Sequence, residues 1–159
     1  MLSKNQLRGL IIYPLGDTIA QIILGDINML RISILAVVGC FLYSFEIGKW
    51  FGYIEKKFKN PFLKTCLAVV YFNPLWIARH FLFIELALHP QLFTNGTDFM
   101  QLLSRVVLSG CRSFAGAVLV SLLANYLIQN KVPLKNRFLF SACFSACMGI
   151  YYALAKVWF

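Results

Sequence analysis

The chain has 159 residues, of which 60% are hydrophobic, 16% aromatic and only 13% charged. A soluble domain of this length needs a polar surface as well as an apolar core, so this composition excludes a soluble domain. It indicates a single integral membrane domain over residues 1–159. The formal net charge of +9 does not indicate nucleic-acid binding, because the basic residues flank apolar stretches and do not share one soluble face.

Five long apolar stretches follow one another along the chain, each long enough for the roughly 20 residues that a membrane-spanning helix requires. Their apolar runs are continuous, whereas the strands of a membrane barrel alternate between apolar and polar residues. We therefore predict an all-α fold, a polytopic bundle of about five transmembrane helices within the lipid bilayer. The stretches are residues 7–24, 32–53, 62–88, 102–128 and 134–158.

The basic residues between these stretches predict the orientation, because the inner side of a membrane protein carries an excess of Lys and Arg. With five crossings, nine such residues fall at one end of the bundle and only Arg31 and Lys156 at the other. If the first stretch did not cross, the division would be seven against four. The sequence thus predicts five crossings, with the N-terminus inside and the C-terminus outside.

The first two stretches each carry polar groups on one side of the predicted helix. Asp17 and Gln21 are four residues apart, and Gly16 beside them is small enough to let another helix approach. Glu46 and Lys49 belong to a stripe of polar and aromatic residues at steps of three and four. A charge at mid-bilayer costs on the order of 3 kcal/mol, so we expect each of these side chains to face a partner or water.

The third and fourth stretches continue this pattern. His80 lies mid-span in the third stretch, where Pro74 removes a backbone hydrogen-bond donor. In the fourth, Arg105 and Arg112 are seven residues apart on one helical face. Basic groups slightly outnumber acidic ones inside the stretches, and a guanidinium matches phosphate and carboxylate groups. These residues predict a path for an anionic small-molecule solute.

Each of these charges also has a structural interpretation. Glu46 could form an ion pair with Arg112, and Asp17 could form one with Arg79. Arg105 and Lys49 could extend to the membrane surface along their aliphatic stems. A fully paired interior would favour a different function, that of a non-transporting scaffold or assembly protein.

The sequence contains no signature of catalysis, metal binding or cofactor binding. Five cysteines, an odd number, all lie in apolar stretches and do not form a disulfide framework. The two histidines lack metal-ligand spacing, and motifs for phosphate-binding loops and serine nucleophiles are missing. We therefore expect no enzymatic activity, no metal and no cofactor.

Three motifs resemble those of the Mpv-seventeen family of small peroxisomal and mitochondrial inner-membrane proteins. Residues 16–21 (Gly-Asp-Thr-Ile-Ala-Gln) resemble its first-helix Gly-Asp-x-x-Ala-Gln motif, and residues 50–56 resemble its Trp-Tyr-x-x-Leu-Asp-Lys/Arg segment. Residues 132–137 are similar to its Val-Pro-x-x-x-Arg motif. Ser44-Phe45 replaces the family's Gly-Pro, so the resemblance is to a divergent member.

The resemblance implies a channel or transporter-like protein of the mitochondrial inner or peroxisomal membrane that acts in metabolite homeostasis. The family is usually drawn with four spans, against the five predicted here. Together with the resemblance, the sequence assigns transport-path or gating roles to Asp17, Gln21, Glu46, Lys49, His80, Arg105, Arg112 and Arg137. It assigns structural motif roles to Gly16, Trp50, Glu55, Pro74 and Pro133.

The number of subunits stays open at the level of sequence. One five-helix bundle can enclose only a narrow path, which makes a homo-oligomer a reasonable alternative to a monomer. Small residues allow helices of neighbouring subunits to approach closely. Gly16 with Ala20, or Ser109 with Gly116, could supply such a contact.

Overall fold

The computed structural model describes residues 2–89, 91 and 96–158, with the side chains of residues 72, 96, 97 and 152–158 outside the description. Within the described residues the chain forms helices and no strand, which confirms the predicted all-α fold. The helices are α1 (Lys4–Leu24), α2 (Met29–Lys57), α3 (Pro61–Leu88), α4 (Gly96–Lys131) and α5 (Leu134–Trp158).

Four of these helices contain a segment long and apolar enough to cross a membrane, namely Lys4–Leu24, Met29–Lys57, Pro61–Leu88 and Asp98–Lys131. The 25 residues of α5 coincide with the fifth predicted stretch. At 1.5 Å per residue α5 is about 37 Å long, which exceeds the roughly 30 Å of a bilayer's hydrocarbon core. The helices therefore agree with the prediction of about five transmembrane helices.

A short connection between α1 and α2 brings two predicted stretches side by side. Gly25 ends α1 in the left-handed region at φ 73°, a conformation that glycine adopts without strain. Asn28 caps α2, where its side chain accepts a hydrogen bond of 2.9 Å from the Arg31 backbone N–H. The chain therefore reverses within a few residues, and the start of α2 lies against the end of α1.

A π-helical segment, Val38–Tyr43, interrupts the α-helical hydrogen bonding of α2. Gly39 in this segment lies directly against Gly9 of α1. A Cβ atom added at Gly9 would overlap the Gly39 carbonyl oxygen and lie 2.7 Å from its carbonyl carbon. The two backbones are thus in contact, which only a pair of glycines permits.

The remaining helices pack through similar contacts between small residues. α3 packs along α4, where Gly110 faces Ala78, and α1 packs along α5, where Gly16 faces Ala146. Gly16 therefore contacts α5 of the same chain. At Gly116 no atom of the described residues lies within 4 Å of the position that a Cβ would take, so that part of α4 is open to them.

One end of the bundle collects the ends of helices that carry most of the basic residues. The Arg8 guanidinium donates a 3.3 Å hydrogen bond to the Lys135 carbonyl oxygen, which joins the starts of α1 and α5. The Asn130 side chain donates one of 3.2 Å to the Thr65 hydroxyl, which joins the end of α4 to the start of α3. We call this end of the bundle the basic end. It brings together the same helix ends, with their basic residues, that a five-crossing topology places on one side of the membrane.

Candidate functional site

A cavity of about 530 Å³ lies between α1, α2, α3 and α4, in the half of the bundle away from the basic end. Its volume falls within the roughly 300–1,000 Å³ that small-molecule sites occupy. Residues from all four helices and Gly149 of α5 line it. The polar side chains in its wall are Asp17, Arg31, His80, Glu85, Arg105, Ser109 and Ser113.

Asp17 is the most enclosed charge in this wall, with a side chain only 2% exposed. The Arg31 Nε donates hydrogen bonds of 3.0 and 2.9 Å to its two carboxylate oxygens, and the Arg31 Nη2 donates a further one. Gln21 Nε2 donates another of 2.6 Å. The Gln21 amide oxygen accepts a 2.6 Å hydrogen bond from the Asn28 backbone N–H. Asp17 and Gln21 therefore tie the end of α1 to the start of α2.

Arg31 was not among the predicted site residues, and the alternative interpretation that pairs Asp17 with Arg79 is wrong. Sequence reasoning placed Arg31 in the loop before the second stretch and counted it only toward the orientation. The structure begins α2 at Met29, which makes Arg31 a helical residue facing α1. The signal that could have identified it is the pair Gly25 and Asn28, a helix stop followed closely by a helix cap.

Glu46 pairs with Arg79 of α3, whose Nη1 donates a 2.6 Å hydrogen bond to the Glu46 Oε2. The alternative interpretation that pairs Glu46 with Arg112 is therefore wrong. The inward face of α4 is formed by residues such as Leu102, Val106 and Ala117, and Arg112 lies exposed beside that face. This face packs closely against α3, where Gly110 meets Ala78, so the Arg112 side chain lies outside the contact.

Two further residues predicted for the path, Lys49 and Arg112, do not line the cavity. The inward face of this part of α2 consists of Ile47, Phe51 and Ile54, all buried. Lys49 lies on the other side, exposed, with its Nζ 4.0 Å from the centroid of the Phe45 ring in a cation–π contact. Neither Lys49 nor Arg112 contributes to the enclosed polar wall.

His80 and Arg105 do line the cavity, together with Asp17. His80 is 8% exposed, and its ring stacks on Trp76 with centroids 4.9 Å apart. Arg105 is exposed, as expected for a side chain at the rim of the cavity. Neither Arg105 nor Glu85 forms an ion pair with any part of the chain that the structure describes. These two charges are available to a solute.

Arg137 belongs to a separate network at the basic end. Its Nη1 donates a 2.6 Å hydrogen bond to the Glu55 carboxylate, which also accepts one of 3.0 Å from the Lys64 Nζ. The Arg137 Nε donates to the Val132 carbonyl oxygen at 3.0 Å, and Nη1 lies 3.4 Å from the Gln129 amide oxygen. Arg137 is thus placed to hold four helices together at that end and does not reach the cavity.

The other motif residues surround a second, apolar groove or lie in a turn. Trp50 stacks on Tyr71 with ring centroids 4.2 Å apart, and both line this groove together with Pro74. α3 continues through Pro74 without interruption. Pro133 is exposed in the turn between α4 and α5. In the described part of the chain, three or more His, Cys, Asp or Glu side chains never come together in a way that could hold a metal ion.

Apolar helices of spanning length, joined by ion pairs in their interior, fit the class of polytopic helical membrane proteins. Comparison of the chain with protein-family models, with curated proteins and with solved structures finds no match.

Proposed function

We propose that the protein is a small membrane channel or transporter for anionic metabolites, with the 530 Å³ cavity as part of the path. The observation that supports this most is the wall of that cavity, which collects seven polar side chains from four apolar helices. Polar and ionisable residues inside a membrane bundle are costly to retain and typically face a solute path or a water-filled space.

Among the charged residues in the cavity wall, Arg105 favours the binding of an anion. Asp17 and Arg31 neutralise each other, which leaves Arg105 and Glu85 as the charges that a solute meets. The Arg105 guanidinium offers forked donors to a carboxylate or phosphate group. Glu85 would repel the same group, and we assign it a gating role, in which it competes with the solute for Arg105.

We also propose that the chain is a divergent member of the Mpv-seventeen family in a mitochondrial inner or peroxisomal membrane. Residues of separate motifs contact one another, which supports this assignment. Glu55 of the second motif and Arg137 of the third form a 2.6 Å ion pair. Motifs that meet in the folded chain are more specific than motifs matched one at a time.

The test is solute flux into proteoliposomes that contain the purified full chain. Arg105→Gln and Arg112→Gln form a matched pair, because both arginines are exposed on α4 and only Arg105 lines the cavity. We expect Arg105→Gln to reduce flux of small carboxylates and phosphates about 10- to 100-fold, since a hydrogen bond to a charged group contributes about 1.5–3 kcal/mol. Arg112→Gln should leave flux unchanged. Equal losses in the two variants would contradict the proposed path.

A non-transporting scaffold is the second candidate, and a separate observation favours it. Three carboxylates are paired across helices, as Asp17 with Arg31, Glu46 with Arg79, and Glu55 with Arg137. Such pairs suit a rigid bundle that presents its outer surface to partners. Folded protein that passes no solute in proteoliposomes would select the scaffold and would direct the search toward binding partners.

A further inference from the structure

The apolar groove beside Trp50 lies on the outer surface of the bundle, between α2, α3 and α4, and has a volume of about 550 Å³. Its walls are aliphatic and aromatic side chains together with Cys111. Val70, one of these wall residues, is 67% exposed. Because all three helices contain a segment of membrane-spanning length, the groove opens toward lipid. None of its wall residues lines the cavity described above.

The groove has the length of one lipid chain. Along α3 it extends from Leu67 to Ala78, which is about 16 Å at 1.5 Å per residue. One leaflet of a bilayer contributes about 15 Å, half of the roughly 30 Å hydrocarbon core. Leu67 is nearer the start of α3, so this end of the groove points toward the basic end. A single acyl chain that descends from the leaflet at the basic end therefore fits the groove.

A row of aromatic rings leads from the groove to an exposed lysine. Trp50 stacks on Tyr71 with ring centroids 4.2 Å apart and on Tyr53 with centroids 5.6 Å apart. The Lys57 Nζ lies 5.4 Å from the centroid of the Tyr53 ring, and Lys57 is exposed. Tryptophan and tyrosine rings favour the level of the lipid headgroups. The row thus ends on a cation where a headgroup would lie.

A second cation lies at the same end of the groove. Lys64 precedes Leu67 by about one turn on the same face of α3. Its Nζ is 3.0 Å from the Glu55 carboxylate, which is also 2.6 Å from the Arg137 guanidinium. Two cations share one carboxylate, so this group keeps one positive charge, and Lys57 adds a second. Such a surplus attracts anionic lipids.

We propose that the groove binds an anionic phospholipid, with one acyl chain along its apolar walls and the phosphate group near Lys57 and Lys64. The second chain has room in the bilayer, because the groove is open on its lipid side. A lipid bound in this way contacts α2, α3 and α4 together and holds them at the basic end. The proposal does not depend on transport, since the groove and the cavity have no wall residue in common.

The test uses Trp50 as a reporter inside the site. Trp76→Phe with Trp158→Phe leaves Trp50 as the only tryptophan of the full chain. In micelles this protein is titrated with phosphatidylglycerol and with phosphatidylcholine, both brominated on the acyl chains, because bromine quenches tryptophan fluorescence at short range. We expect half-maximal quenching at about five- to thirtyfold less phosphatidylglycerol than phosphatidylcholine, since each basic residue near the surface contributes about fivefold.

Two matched pairs of variants separate the headgroup from the chain. Lys57→Gln should reduce the preference for phosphatidylglycerol about fivefold, whereas Lys135→Gln, exposed at the basic end on α5, should leave it unchanged. Val70→Phe fills the groove and should weaken quenching by both lipids severalfold. Val120→Phe changes an exposed valine of α4 that does not line the groove and should quench like the parent protein.

Equal quenching by the two lipids would overturn the proposal, as would equal effects of Val70→Phe and Val120→Phe. Quenching by a brominated fatty acid at lower concentration than by phosphatidylglycerol would overturn the assignment to a phospholipid. Should the protein with Trp50 alone fail to fold, mass spectrometry of the intact chain with all its tryptophans decides instead. Retained phosphatidylglycerol should then be lost in Lys57→Gln and Val70→Phe and kept in the two controls, and equal retention in all four would refute the site.

Discussion

Arg31 and Arg79 each neutralise one carboxylate, and the two ion pairs differ in their burial. The side chains of Asp17 and Arg31 are 2% and 12% exposed, whereas those of Glu46 and Arg79 are 22% and 20% exposed. Removing one partner of a buried pair leaves an uncompensated charge, which costs more than the pair itself contributes. The Asp17 pair should therefore be the more sensitive of the two to the loss of one partner.

For this pair we predict that Asp17→Asn lowers the free energy of unfolding by about 3 kcal/mol, because it leaves Arg31 charged and unpaired. The double variant Asp17→Asn with Arg31→Gln should recover part of that loss. Asp26→Asn, at an exposed carboxylate just after α1, serves as the control and should have little effect. The measurement is reversible unfolding in mixed micelles. Additive losses in the double variant would show that the pair is not coupled.

Contacts between small residues set the distances between whole helices. Gly16 meets Ala146 where α1 crosses α5, and a Cβ atom at Gly16 would lie 2.6 Å from the Ala146 Cβ. A Cβ atom at Gly116 would meet none of the atoms that the structure describes. The two glycines thus respond differently to the same added methyl group, because one faces a packed helix and the other faces the bundle's surroundings.

Gly16→Ala should therefore destabilise the protein by about 1–3 kcal/mol, the usual cost of inserting a methyl group into a packed contact. Gly116→Ala should be neutral or stabilising by up to about 1 kcal/mol, because alanine favours a helix over glycine. Thermal unfolding in micelles compares the two variants directly. A larger loss in Gly116→Ala would indicate that α4 meets another helix there, as in the homo-oligomer that the sequence left open.

The network of Glu55 and Arg137 closes the basic end, because it joins the last turn of α2 to the start of α5. Arg137 is 6% exposed, and Arg137→Gln should cost about 2 kcal/mol of stability, since charge-assisted hydrogen bonds contribute about 1.5–3 kcal/mol each. Lys135→Gln, two residues earlier and exposed, is the control. Hydrogen exchange at the end of α2 and at the start of α5 should rise in Arg137→Gln only. Unchanged exchange there would contradict a fastening role for the pair.

At the scale of the whole molecule, the positions of the helices could be predicted from the sequence, whereas the residues that pair between helices could not. Long apolar runs set the number and length of the elements, so the predicted stretches coincide closely with α1 to α5. Which arginine meets Asp17 depends on a tight connection at Gly25, and which face of α4 turns inward depends on packing against Ala78. The ion-pair partner and the inward face both depend on contacts between helices, and the periodicity of a single helix carries no information about such contacts. For this reason the sequence analysis missed Arg31 and placed Arg112 on the wrong face.

The orientation of the bundle is the last prediction. Nine Lys and Arg residues lie at or near the basic end, against Arg31 and Lys156 at the other, so the basic end should face the inner side. In a variant whose five cysteines are replaced, a single cysteine is introduced by Lys59→Cys or by Asp26→Cys, both at exposed positions at opposite ends. A membrane-impermeant maleimide should label Lys59→Cys in inside-out vesicles only, and Asp26→Cys in right-side-out vesicles only.

Tags at the two termini complete the same experiment. Five crossings place the N-terminal and C-terminal tags on opposite sides of the membrane, because an odd number of spans reverses the side. Four crossings, the number usually drawn for the Mpv-seventeen family, place them on the same side. If Asp26→Cys and Lys59→Cys label from opposite sides and both tags are accessible from one side, then α2 crosses and one of the other helices does not. Since α1 packs along α5 and α3 packs along α4, a helix that does not cross would have to lie differently in the membrane from its packing partner.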